Sequence, residues 1–152
     1  MDSTTTSDRR THSGAIFLSP HLDDAVLSCG GTIHRFVQAG KPVLVVSVMA
    51  GDPPQVDLST FAISLHARWQ LPENTVAMRR AEDIEALVGL GADWLHWPIP
   101  DCIYRQNDAS GEFLYASEDA IFGSIESYEK DLIGTLSGIW THCPTSIRST
   151  SL

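Results

Sequence analysis

His21, Asp23 and Asp24 place an imidazole and two carboxylates within four consecutive residues. Those groups could converge on one cation. Zinc accepts histidine nitrogen and carboxylate oxygen, and a catalytic zinc keeps one position open for water. A second carboxylate beside that water could take its proton as general base. The same residues have a plainer use: Asp23 or Asp24 could cap a following helix, with His21 a turn residue. A cap accounts for one acid, not for a histidine and two adjacent acids. On spacing alone the two uses stand level.

Where the three residues fall in the chain depends on the elements around them. Ala15 to Ser19 is a short continuous apolar run ended by Pro20, as expected of a strand buried on both faces. Asp23 to Gln38 carries Val26, Leu27, Ile33 and Val37 at helical spacing, with Gly40 as the stop signal. Val43 to Met49 is a second β-branched run, ending in the turn cluster Ala50 to Pro54. A strand, a helix and a strand of this kind form a right-handed parallel unit.

Further along, Phe61 to Trp69 reads as a short helix. Ala77 to Leu90 is a clearer one, with Met78, Ala81, Ile84, Leu87 and Val88 on one face and Arg79, Glu82 and Asp83 towards the other. Gly89 and Gly91 close it. Asp93 to Trp97 is a third strand, Cys102 to Ala116 a loop, and Ile125 to Leu136 a last helix. Alternating strands and helices predict a doubly wound α/β fold, a Rossmann-like, mostly parallel sheet with helices on both faces. Such sheets carry their chemistry beyond the carboxyl ends of the strands, which is where His21, Asp23 and Asp24 fall.

Other reactive side chains have simpler readings. His66 and His96 sit among apolar residues, where a hydrogen-bonded structural histidine is expected. His34 falls on an exposed helix face and His12 in a polar start. Trp94 and Trp97 suit core or pocket wall. Cys29 lies one turn into a helix without an evident base, so it makes a poor nucleophile. There is no G-x-G-x-x-G after the first strand, no G-x-x-x-x-G-K-[ST], no G-x-S-x-G and no H-E-x-x-H, which argues against dinucleotide, phosphate-loop, serine-hydrolase and zincin chemistry.

Composition narrows the partners. The 152 residues carry 19 acidic and 10 basic side chains, a net charge of −9, with no basic cluster to track a phosphate backbone. Nucleic acid is excluded as a partner on that ground. With 43% hydrophobic and 19% charged residues, the chain reads as one soluble globular domain. Cys29, Cys102 and Cys143 are widely spaced and form no disulfide framework, so free thiols in a reducing cytosol are expected. Residues Met1 to Gly14 are polar, unlike a signal peptide. The longest apolar run, Pro42 to Gly51, is far short of the about 20 residues that span a bilayer. The expectation is a cytoplasmic protein.

The stretch Leu18 to Ile33 (LSPHLDDAVLSCGGTI) strongly resembles the signature of the PIG-L/LmbE-type zinc-dependent N-acetylglucosaminyl deacetylases. The likeness continues through Val45 to Asp52, Arg79 to Asp83, and Pro100 to Arg105, and so covers about residues 14–140. It implies that His21 and Asp24 ligate zinc, that Asp23 is the general base, and that Arg79 and Asp101 help hold the substrate sugar. It implies a zinc hydrolase that removes the N-acetyl group of a glucosamine-type sugar conjugate. Leu22 and Ala25 depart from the usual Pro and Glu of the motif.

The family continues into another strand and a His-x-Asp-His segment, which supplies a third zinc ligand. Here Gly138 to Pro144 offers His142 alone, and Thr141 to Leu152 reads as an atypical tail. The predicted organisation is a tail over 1–14, a deacetylase domain over 15–140, and that second tail over 141–152. Two zinc ligands, weak metal binding, an unpaired strand edge and association of copies through that edge are the consequences expected. The alternative function is a catalytically inactive remnant or a small-molecule-binding protein of the same fold.

Overall fold

The computed structural model describes residues 14–54, 57–70, 75–124 and 129–141. Its strands are β1 (Ala15–His21), β2 (Val43–Met49) and β3 (Asp93–His96). Its helices are α1 (Asp24–Gln38), α2 (Thr60–Arg68), α3 (Thr75–Leu90), α4 (Glu118–Ile121) and α5 (Lys130–Thr141), with a 3-10 turn over Cys102–Tyr104. The described strands form one parallel sheet in the order β1-β2-β3. Register sets Phe17 beside Val45 and Trp94, and Ser19 beside Ser47 and His96.

Helices cover both faces, which establishes the predicted α/β class. On one face Ile33 of α1 and Leu87 of α3 close over Val43 and Val45, with Phe17 packed against the same cluster. On the other, Leu44 and Val46 join Trp97 and Ile99 beneath Leu132 and Leu136 of α5. None of the described helices is long and apolar enough to cross a membrane.

β1 corrects one expectation. It runs through Pro20 to His21, and it is not buried on both faces: Ile16 is 41% and Leu18 56% exposed. Among the described residues β1 pairs with β2 alone. Ile16 and Leu18 share the face of their register partners Leu44 and Val46, and the α5 side chains reach those β2 partners.

α3 corrects another. Val76, Asp83 and Leu87 are buried, while Met78 and Val88 are exposed. The helix is turned so that a carboxylate, not Met78, points into the protein. Three smaller shifts follow. α5 runs over Lys130–Thr141, past the expected end at Leu136, while 125–128 lie outside the described residues; the 3-10 turn stands within what reads as loop; and Asp93–His96 ends one residue early.

Past β2, Gly51 N–H donates to the Ile99 carbonyl at 2.9 Å, and Gly51 pairs with Pro100. A Cβ there would lie 2.5 Å from the Pro98 oxygen. Glycine is what lets the segment after β3 close on the end of β2, and that segment carries Asp101 to the mouth of the sheet.

Candidate active site

The turn from β1 into α1 is built by Ser19. Fully buried, its hydroxyl donates to the His21 carbonyl at 2.7 Å and accepts the Ala25 N–H at 2.9 Å. A strand residue thus does the work of a helix cap. Asp23, which precedes the first helical residue, makes no side-chain cap bond. Its backbone is left-handed, φ 73° and ψ −17°, a region that costs most residues about 1–2 kcal/mol and that aspartate tolerates better than most. Capping therefore does not account for Asp23.

Asp24 folds back on His21. Its Oδ2 accepts the His21 N–H at 3.0 Å and stands 3.2 Å from Nδ1 of the ring. Two donors of one tetrahedral zinc, each at about 2.0–2.2 Å, stand roughly 3.3–3.5 Å apart. The pair fits that spacing, and its atom types are zinc's own. On its other side the His21 ring places Nε2 at 3.7 Å from Asp101 Oδ2. Among the described residues no group of three or more His, Cys, Asp or Glu side chains is arranged to hold a metal, so the described donor set is two. His142, like His12 and Cys143, lies outside the described residues.

Asp23 is anchored from below. Its N–H donates to Asp83 Oδ1 at 3.0 Å. Burial, and next the negative charge of Asp83, push the Asp23 carboxyl above its ordinary range; Arg79 opposes them, while Glu82 and Asp24 add to the rise. A carboxylate made more basic in this way suits proton transfer near neutral pH.

Arg79 and Asp101 both reach the site. Arg79 donates to the Leu22 carbonyl at 3.3 Å, and its guanidinium lies 4.8 Å above the Trp69 ring. It is therefore no freely solvated helix charge. Asp101 caps the 3-10 turn through the Ile103 N–H at 3.4 Å while its other oxygen faces His21. Behind it, Tyr104 bonds His66 at 2.7 Å. Burial and Asp101 push the Tyr104 hydroxyl up to about 12 and the Cys102 thiol up to about 11. Cys102 stays a thiol, and with Cys29 it is a free cysteine. A cavity of about 490 Å³ opens beside this cluster, lined by Asp52, Pro100, Tyr104, Arg105, Gln106 and Glu129 among others. It adjoins the segment after β3 and does not touch His21 or Asp24.

Sequence reasoning missed four contributors: Asp83, the His96 and Ser47 that hold it, and Arg80. Arg80 clamps the end of β2 through the Ala50 carbonyl at 2.9 Å and Asp52 at 2.7 Å. Polar Ser47 and His96 inside otherwise apolar strands were the available signal. His96 is a hydrogen-bonded structural histidine, as expected, and its partner is an acid. Trp97 is core, while Trp94 is exposed.

A family model described as PIG-L, GlcNAc-PI de-N-acetylase, matches residues 16–143. The chain belongs to the PIG-L family. Among curated proteins, a 2'-N-acetylparomamine deacetylase of Niallia circulans is 29% identical over 133 residues, 77% of this chain and 46% of that protein. Two solved structures align with a TM-score of 0.74 over 86% of the chain. One is a deacetylase–teicoplanin complex, 33% identical over 52% of its length. The other is the zinc-inhibited form of teicoplanin deacetylase, 34% identical over 51%. The chain thus spans about half the length of these PIG-L relatives.

Proposed function

We propose that the β1–α1 turn is the metal end of an N-deacetylase site acting on an N-acetylated amino sugar within a small glycoconjugate. The observation that carries the proposal is Asp23: an uncapped, basic carboxylate set beside a His21–Asp24 pair 3.2 Å apart. His21 and Asp24 would hold zinc, and a third donor would come from outside the described residues. Zinc, when bound, polarises the acetyl carbonyl and lowers the pKa of bound water towards about 7.

The chain's own residues do the rest. Asp23 accepts a proton from the attacking water and passes it to the departing nitrogen, so that acetate and a free amine result. Arg79 donates to, and Asp101 accepts from, the hydroxyls of the sugar, fixing the acetamide next to Asp23. The relatives named 2'-N-acetylparomamine deacetylase and teicoplanin deacetylase favour a larger sugar conjugate over a free sugar.

A second reading is a sugar-binding protein of the same fold without turnover, to which the donor set of two among the described residues lends support. Acetate release followed by NMR separates them, with N-acetylglucosamine and 2'-N-acetylparomamine as substrates and zinc titrated from below one equivalent, since one relative has a zinc-inhibited form. The proposal predicts acetate release that falls about 10²–10⁴-fold in Asp23→Asn. Saturable sugar binding with no acetate release would establish the second reading instead.

A further inference from the structure

Ser19, Ser47 and His96 stand in register across the carboxyl end of the sheet. Two residues earlier, Phe17 and Val45 pack into the apolar cluster under α1 and α3, so this polar row faces the same covered side. Polar groups there are unfavourable unless partnered. Ser19 serves the turn. Ser47 donates to Asp83 Oδ2 at 3.2 Å, and His96 Nε2 lies 2.8 Å from the same oxygen. Asp83 is 1% exposed, and its remaining oxygen takes the Asp23 N–H from 60 residues away. A carboxylate only accepts, so His96 presents Nε2–H. Asp83 thus gathers one donor from β2, one from β3 and one from the site.

We propose that Asp83, held by Ser47 and His96, is a positioning residue that fixes the left-handed backbone at Asp23 and thereby aims its carboxyl. The inference rests on Asp23 being the general base. Two features support it. Asp23 has no cap bond of its own, so the bond to Asp83 ties its unusual backbone to the body of the protein. Secondly, stability alone is a poor reason for this arrangement, because well-packed apolar residues commonly replace buried ionic groups without loss. An apolar side chain could fill the space of Asp83, but it could not accept the Asp23 N–H.

The test uses Asp83→Asn, Asp83→Ala and His96→Gln, each alone and combined with Asp23→Asn, in the full chain. Amide exchange by NMR needs no turnover: the Asp23 amide should lose protection in Asp83→Ala, while the β2 amides keep theirs. In kinetics, Asp83→Ala should lower kcat about 10–100-fold, as for loss of groups that orient catalytic residues, with KM and metal stoichiometry held. Asp83→Asn, which keeps one acceptor, should lose less. In the Asp23→Asn background, removing Asp83 should cost nothing further, because groups acting through one another are not additive. An unchanged Asp23 amide, or an equal loss of kcat in both backgrounds, would overturn the proposal. Full activity of Asp23→Asn would instead remove the base assignment on which it rests.

Discussion

Replacing Ser19 by alanine removes a single oxygen and strands two backbone groups. The hydroxyl is fully buried and bridges the His21 carbonyl to the Ala25 N–H. Among the described residues no other side chain is seen to cap the start of α1, and Asp23 makes no cap bond. A buried polar group left unsatisfied costs about 1–3 kcal/mol. His21 is half exposed, so its carbonyl recovers part of its loss from water, and the sum for both groups is about 2–4 kcal/mol. At a urea slope of about 2 kcal/mol/M, the unfolding midpoint falls by about 1–2 M with the slope unchanged. Ser28→Ala on the exposed face of the same helix is the control, expected within about 0.5 kcal/mol of the parent. A Ser19→Ala midpoint indistinguishable from that control would refute the reasoning that β1 caps α1.

Gly51→Ala forces a Cβ to within 2.5 Å of the Pro98 oxygen and 2.7 Å of the Ile99 carbonyl carbon. Both are backbone, so relief must come from moving the chain, and thermal unfolding should show about 1–3 kcal/mol of destabilisation; an unchanged melting curve would contradict it. His66 supplies a pH test. Burial holds its folded-state pKa below the ordinary 6.5, so the unfolded chain takes up a proton first as pH falls. Its contribution to stability is present above about 6.5 and is lost as pH drops through the depressed folded value. The stability gap between the parent and His66→Gln should therefore narrow between pH 7.5 and 5.5, and a constant gap would count against this account.

The chemistry-bearing turn was legible because its parts are contiguous: His21, Asp23 and Asp24 follow one apolar run and open one helix. β2, a continuous β-branched run, was legible over its full length, Val43–Met49, and α1 to within one residue. What failed was long-range. The hydrophobic pattern of α3 sends Asp83 outwards, since an acid is normally solvated. Only the Asp23 N–H, Ser47 and His96, brought in from other elements, make it tolerable inside. Likewise the apolar run of β1 cannot show whether each face is covered. That depends on where α5 packs: its described side chains Leu132 and Leu136 reach the β2 cluster, and Leu18 stays exposed. Arg79 and Asp101 lie beside the turn, and their contacts, a stacked Trp69 and the far side of the His21 ring, are written only in three dimensions.

The central claim is a division of labour within one turn, with His21 and Asp24 holding the metal and Asp23 moving the proton. Equilibrium zinc binding to the parent, Asp24→Asn and Asp23→Asn, measured by competition with a chromophoric chelator, tests it most directly. Losing even a group that only orients a ligand weakens metal binding by about 10–100-fold, so Asp24→Asn should weaken it at least that much, while Asp23→Asn should bind zinc as the parent does. Equal loss in both variants, or parent-like binding by Asp24→Asn, would contradict the account.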